Sequence, residues 1–181
     1  MTEAGHASFA GAVLAELARL DREWMIVPAG HDDVRSVPWM PFPMHDFIAL
    51  VAEALPEAGG DRFLEIGCGI GTRMKAASVI FGLDVHGVER VPEYAAEAVK
   101  LGMDAEVTDA LTYDGYGKYD IIWFNRPFRD PELQRQLEAR VWDQVASGAV
   151  VICANLEAPP PANWWPVLND SEVRRWIAQK P

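Results

Sequence analysis

A carboxylate, Glu65, stands two residues ahead of three alternating glycines, Gly67, Gly69 and Gly71. Apolar residues surround the acid in Phe63-Leu64-Glu65-Ile66, and a helix-compatible run follows from Thr72 to Phe81. The stretch reads as a buried strand, a glycine turn and a helix. Glycines let backbone approach a ligand closely. The first turn of a helix adds unpaired N–H groups. A second acid, Glu89, lies 22 residues after Gly67 at the end of Asp84-Val85-His86-Gly87-Val88-Glu89. A carboxylate at that distance can accept two hydrogen bonds from a ribose diol. A third acid, Asp109, closes Ala105-Glu106-Val107-Thr108-Asp109. Asn125 closes a fourth apolar run, Asp120 to Asn125. Open parallel sheets bind ligands beyond the carboxyl ends of their strands, where all four residues fall. A dinucleotide fingerprint, G-x-G-x-x-G, would need a third glycine at position 72, which is Thr72.

Glu65-x-Gly67-x-Gly69-x-Gly71 resembles the first motif of class I S-adenosylmethionine-dependent methyltransferases. The resemblance spans roughly 45–155 and is strongest at the glycine loop. It implies S-adenosyl-L-methionine as cofactor, with contacts from Glu65, Gly67, Cys68, Gly69, Gly71, Glu89, Arg90, Asp109, Ala110 and Asn125. Glu65 would sit near the cationic amino-acid end, Glu89 at the ribose and Asp109 at the adenine amine. It also implies a Rossmann-like α/β sandwich of three layers. The sheet would be mostly parallel, in the order 3-2-1-4-5, with a C-terminal antiparallel hairpin. Asn125-Arg126-Pro127-Phe128 resembles the Asn-Pro-Pro-aromatic turn of enzymes that methylate amino groups, with Arg126 in place of the first proline. The segment from Phe124 through the following helix also resembles the histone-lysine methyltransferases that lack a SET domain.

Methyl transfer needs an acceptor lone pair aligned with an activated methyl and water kept out. Asn125 and His45 are the polar candidates for the catalytic end; His31 and His86 are less well placed. The expected acceptor is a small molecule or a peptide side chain. A second reading is a non-catalytic domain that binds S-adenosylmethionine or S-adenosylhomocysteine as a partner or sensor. A third, a nicotinamide oxidoreductase, is opposed by Thr72.

The elements that must position these residues follow in order. Apolar residues at helical spacing, from Phe9 through Leu17 to Trp24, give a helix over 8–24 with Ser8 as N-cap. The run Pro38-Trp39-Met40-Pro41-Phe42-Pro43-Met44-His45 cannot be helical and forms either a strap on the sheet or a lid over the pocket. A helix covers 45–55, stopped by Pro56. Pro92 opens a helix to about Leu101, and Asp130 caps another that starts at Pro131. Strands run over 63–66, 84–89, 105–109, 120–125 and 149–154. The tail from Trp164 to Lys180 reads as a hairpin, with little room for a helix over 156–163. Its adjacent tryptophans, Trp164 and Trp165, could form a homodimer patch. The whole is one domain over 1–181: N-terminal helix and strap to 44, core 45–155, hairpin 156–181.

The 181 residues carry a net charge of −11, and the only adjacent basic pair is Arg174-Arg175. Such a chain repels phosphate backbones, which disfavours nucleic acid as substrate. No apolar run approaches a membrane span, and the N-terminus does not resemble a signal peptide. Two cysteines, Cys68 and Cys153, build neither a disulfide framework nor metal-ligand spacing, so a reducing cytoplasmic setting and free thiols are expected.

Overall fold

The computed structural model describes the backbone of residues 3–25, 41–170 and 175–181. Pro38, Trp39 and Met40 of the strap, His31, and the hairpin turn around Ser171 lie outside the described residues.

Seven strands form one sheet in the order β3-β2-β1-β4-β5-β7-β6. The first five are β1 (Arg62–Ile66), β2 (Asp84–Glu89), β3 (Asp104–Val107), β4 (Ile121–Asn125) and β5 (Val150–Ala154), and they pair in parallel. β6 (Trp165–Asp170) and β7 (Arg175–Gln179) form the antiparallel hairpin, with β7 against β5. β1, β4 and β5 are apolar almost throughout because helices or loops cover both their faces. Period-two alternation splits their side chains. Phe63, Ile121, Trp123 and Ile152 face one core; Leu64, Ile66, Ile122, Phe124 and Cys153 face the other.

The first core lies under α1 (Glu3–Met25), α2 (Met44–Ala54) and α3 (Thr72–Phe81). α4 (Pro92–Lys100) sits beside α3, where Ala98 packs with Met74, Cys68 and Met103. The second core lies under α5 (Pro131–Gln144). Among the described residues α5 is the only α-helix on this face. A 3-10 turn, Tyr116–Lys118, takes the place of a helix between β3 and β4, and no helix joins β5 to β6. The layer is thinned as the short 156–163 segment requires.

Several boundaries differ from expectation. α1 begins at Glu3, so Ser8 lies inside it rather than capping it. α2 begins at Met44, one residue early. β3 ends at Val107, which leaves Thr108 and Asp109 in the loop beyond. Asp109 folds that loop: its Oδ1 accepts from Leu111 N–H at 2.9 Å, and its carbonyl accepts from Thr112 and Tyr113 N–H. Asp130 caps α5 as expected, accepting from Glu132 and Leu133 N–H.

The adjacent tail tryptophans separate. Trp164 is buried, its ring 5.0 Å from that of Trp142 at an edge-on angle, while Trp165 on the edge strand β6 is 60% exposed. Both cysteines are free and buried. Among the described residues no helix is long and apolar enough to cross a membrane.

Candidate functional site

The carboxyl ends of β3, β2, β1, β4 and β5 open onto one cavity of about 350 Å³, within the range of small-molecule sites. In sheet order its rim carries Asp109 and Ala110, then Glu89 and Arg90, then Glu65 and Gly67, then Asn125, then Asn155. Neighbouring strands are about 4.8 Å apart, so the row of polar groups extends over nearly 20 Å.

The glycine loop forms the middle of the floor. Gly67 and Cys68 N–H both donate to the Val88 carbonyl, at 2.8 and 3.1 Å, which ties the loop to β2. Gly67 has φ +72, and a Cβ there would lie 3.0 Å from Pro127 Cβ. Only glycine lets the turns after β1 and β4 meet this closely. Gly71 serves packing instead. It caps α3 with φ +78, and a Cβ would approach Ala98 Cβ to 2.9 Å. Neither Gly69 nor Gly71 lines the cavity. Nor does Cys68, whose side chain is fully buried against Met74 and whose thiol pKa burial raises well above its usual value. Cys68 was expected among the cofactor contacts; at this turn its side chain points into the α3–α4 cluster.

Glu89 is 9% exposed rather than solvent-facing. Its Oε2 accepts from Gly69 N–H at 2.9 Å and its Oε1 from Val91 N–H at 2.8 Å. The acid therefore holds the glycine loop against the start of α4. Burial raises its pKa, and those backbone donors oppose the rise. The Arg90 backbone is a third such donor, and the carboxylate keeps lone-pair capacity for a ligand beside them.

Glu65 lies on β1 opposite Trp123 of β4, on the sheet face beneath α3. It lines the cavity, and its Oε2 is buried with no hydrogen-bond partner. Burial pushes its pKa up to about 8, against the pull of Arg73, the Trp123 indole and the Met74 backbone. Arg73, 3% exposed in the first turn of α3, is committed elsewhere. It donates to Asp21 Oδ2 of α1 at 2.6 Å and to the Phe42 carbonyl. Thr72 Oγ1 donates to the other Asp21 oxygen at 2.7 Å. Trp24, one turn further along α1, meets the Tyr94 ring of the cavity wall edge-on at 5.8 Å.

This burial has a sign in pH. Between the unfolded value of 4.5 and the folded value of about 8, the folded chain keeps a proton on Glu65 that the unfolded chain has lost. Stability contributed at this site therefore falls as pH rises through that window. Denaturant unfolding at pH 5.5 and 8 is expected to show wild type losing on the order of 3 kcal/mol more than Glu65→Gln. Equal losses would place the carboxyl in a solvated site.

At the far end, Asn155 Nδ2 donates to Asn125 Oδ1 at 2.8 Å, and Arg126 ion-pairs with Glu157. Asn155 and Arg126 have positive φ, +59 and +41. Non-glycine residues are uncommon in that region, and such backbone concentrates at functional sites. Two buried residues of α5 brace both loops. Gln134 Oε1 accepts from Phe128 N–H at 3.2 Å. Glu138 accepts from Gln134 Nε2, Glu157 N–H and Ala158 N–H, at 3.0, 2.9 and 3.1 Å.

Of the residues expected from the sequence, Glu65, Gly67, Glu89, Arg90, Asp109, Ala110 and Asn125 line this one cavity. His45 does not. Its side chain is 85% exposed in the first turn of α2, with Nε2 2.9 Å from Asp46. Sequence reasoning missed Arg73, Tyr94, Trp123 and Asn155. Asn155 had a signal: it is the first residue past β5, where a strand end faces the ligand crevice. Among the described residues no group of three or more His, Cys, Asp or Glu is placed to hold a metal.

No protein-family model matches the chain. It is similar to protein-L-isoaspartate O-methyltransferase 2 of Marinobacter nauticus, 35% identical over 105 residues that cover 50% of this chain and 43% of that protein. The chain thus matches less than half the length of this curated relative. Among solved structures it resembles an RNA methyltransferase of Salinibacter ruber in complex with S-adenosyl-L-homocysteine. The TM-score is 0.60 at 16% identity, over 78% of this chain and 92% of that one. It also resembles the N-methyltransferase NodS of Bradyrhizobium japonicum, with TM-score 0.60 at 13% identity, over 76% and 95%. The fold is the Rossmann-like class I methyltransferase fold.

Proposed function

We propose that this chain is an S-adenosylmethionine-dependent methyltransferase acting on a small molecule or a peptide side chain. The observation that carries the reading is Glu65, a cavity-lining carboxyl with one buried oxygen that meets no donor. An unpaired buried oxygen is costly, and a ligand ammonium supplies the missing donor and charge. The rest of the row fits the same ligand. Gly67 brings bare backbone to the cavity floor, Glu89 presents a carboxylate edge to a vicinal diol, and Asp109 and Ala110 border the end where a purine would lie.

The cofactor, when bound, supplies a methyl group already activated on a sulfonium. The chain's own residues do the remainder. Glu65 gives up its proton to become the counter-charge of the ammonium. Glu89 keeps the loop closed under the ligand. Trp123, Phe42 and Phe128 keep the reacting end dry, and Asn125 orients the acceptor. Among the described residues no histidine lines the cavity, and exposed His45 has no part as a base in this reading. An acceptor that needs no general base, such as an amine, suits the arrangement. Trp165 is the tail residue that supports a homodimer.

Methyl-labelled cofactor incubated with small-molecule and peptide pools separates this reading from a non-catalytic binding domain. Label is expected in one of those pools and not in RNA. Cofactor binding without transfer to any pool would favour the sensor reading.

A further inference from the structure

The cavity ends, beyond Asn125, in a patch whose hydrogen-bonding character is already fixed. The single bond from Asn155 Nδ2 to Asn125 Oδ1 locks the two carboxamides together. Among the described residues it leaves Asn125 Nδ2 as a donor and Asn155 Oδ1 as an acceptor, with no other hydrogen bond to either amide. The two amides stand side by side because Asn125 and Ala154, the residue before Asn155, are partners across β4 and β5. The neighbouring guanidiniums already have partners, with the Nε of Arg73 left out of them. Arg126 is paired with Glu157, and Arg73 is held by Asp21 and the Phe42 carbonyl. Arg90, further along the rim toward β3, is engaged as well. The walls are apolar: Pro127, Phe128 and the Phe42 ring, which meets Trp123 edge-on at 5.1 Å.

Resting on the methyltransferase reading, we infer that this end is a preformed, charge-neutral acceptor subsite for a flat, uncharged group that carries an N–H beside a hydrogen-bond acceptor, as in a carboxamide or an aminoheterocycle, and that it excludes carboxylates and phosphates. An amide edge matches the donor–acceptor pair atom for atom. A carboxylate offers two acceptors and no donor, so Asn155 Oδ1 would face a lone pair. It would also give up its hydration beside guanidiniums that already have partners, which costs more than a neutral group loses. The net charge of −11 works in the same direction at longer range. The Gln134–Glu138 brace makes the subsite rigid, so the amide pair does not have to reorganise when an acceptor binds.

Benzamide and benzoate share a ring and differ in this edge alone. Their binding is measured by ligand-observed NMR to the full chain, both saturated with S-adenosylhomocysteine and without it. Benzamide is expected to bind about tenfold or more tightly than benzoate. Asn155→Asp keeps the side-chain shape and tolerates positive φ, but removes the donor to Asn125 Oδ1 and adds a charge. It is expected to weaken benzamide by about tenfold or more. Benzoate binding as well as benzamide, benzamide failing to bind wild type, or an unchanged benzamide affinity in Asn155→Asp would each overturn the inference. Failure of S-adenosylhomocysteine to bind would instead overturn the methyltransferase reading. The benzamide–benzoate comparison without it would still decide the subsite.

Discussion

Asp21→Ala is expected to destabilise the chain by about 3–5 kcal/mol, the usual cost of stranding one partner of a buried ion pair. Asp21 and Arg73 are 6% and 3% exposed, and their contact of 2.6 Å joins α1 to the first turn of α3. Removing the carboxylate leaves the guanidinium with the Phe42 carbonyl and the Thr72 hydroxyl, and without a counter-charge. Glu65 is an acid within reach, which Arg73 already draws toward ionisation. The fall in stability between pH 5.5 and 8 is therefore expected to shrink in Asp21→Ala, because Glu65 takes over as the partner of Arg73. Asp21→Asn keeps an acceptor for Thr72 and is expected to cost less. Urea unfolding of the three proteins at both pH values checks this. A loss below about 1 kcal/mol in Asp21→Ala would mean that the pair is solvated.

Glu89→Gln is expected to lower affinity for S-adenosylhomocysteine by about ten- to a hundredfold, because a charge-assisted acceptor for the diol is lost. From sequence alone, a strand-end acid should leave the stability of the ligand-free chain nearly unchanged. The structure reverses that expectation. Both carboxylate oxygens hold backbone N–H groups, of Gly69 and Val91. A glutamine offers one oxygen and one amino group, so one of those donors must face another donor. A buried N–H left unpaired costs roughly 1–3 kcal/mol, and Glu89→Gln is expected to lose that much by denaturant unfolding. Glu132→Gln, on an exposed face of α5 where the side chain is 62% accessible, is the control and should change neither quantity. Equal affinity in wild type and both variants would show that Glu89 serves the loop alone.

The positions of these acids were legible because local pattern encodes them. β2 runs over Asp84–Glu89 and α3 over Thr72–Phe81 as the residues predict, and the glycine turn lies between β1 and α3. Strand ends follow from apolar runs and turn residues, and in an open parallel sheet the strand ends are the site. The partners of the acids were not legible. Asp21 meets Arg73 from 52 residues away, and nothing in the periodicity of α1 distinguishes Asp21 from a solvent-facing acid. The glycines looked alike in sequence. Gly67 borders the cavity, while Gly71 is small because Ala98 of α4 leans on it. The same blindness applied to Cys68 and His45. The side of a turn on which a residue points depends on the dihedrals of its neighbours, and spacing does not carry those. Asn155 matters through its pairing with Asn125, which the β4–β5 register creates.

The most direct test of the central claim is isothermal titration calorimetry of the wild-type chain at pH 7 with S-adenosylhomocysteine and with NAD, each in two buffers of different ionisation enthalpy. The account predicts one-to-one binding of S-adenosylhomocysteine, with up to about one proton released as Glu65 ionises against the ligand ammonium. It also predicts that Glu65→Gln abolishes this release and that NAD gives no binding heat. Binding of NAD with no binding of S-adenosylhomocysteine would contradict it.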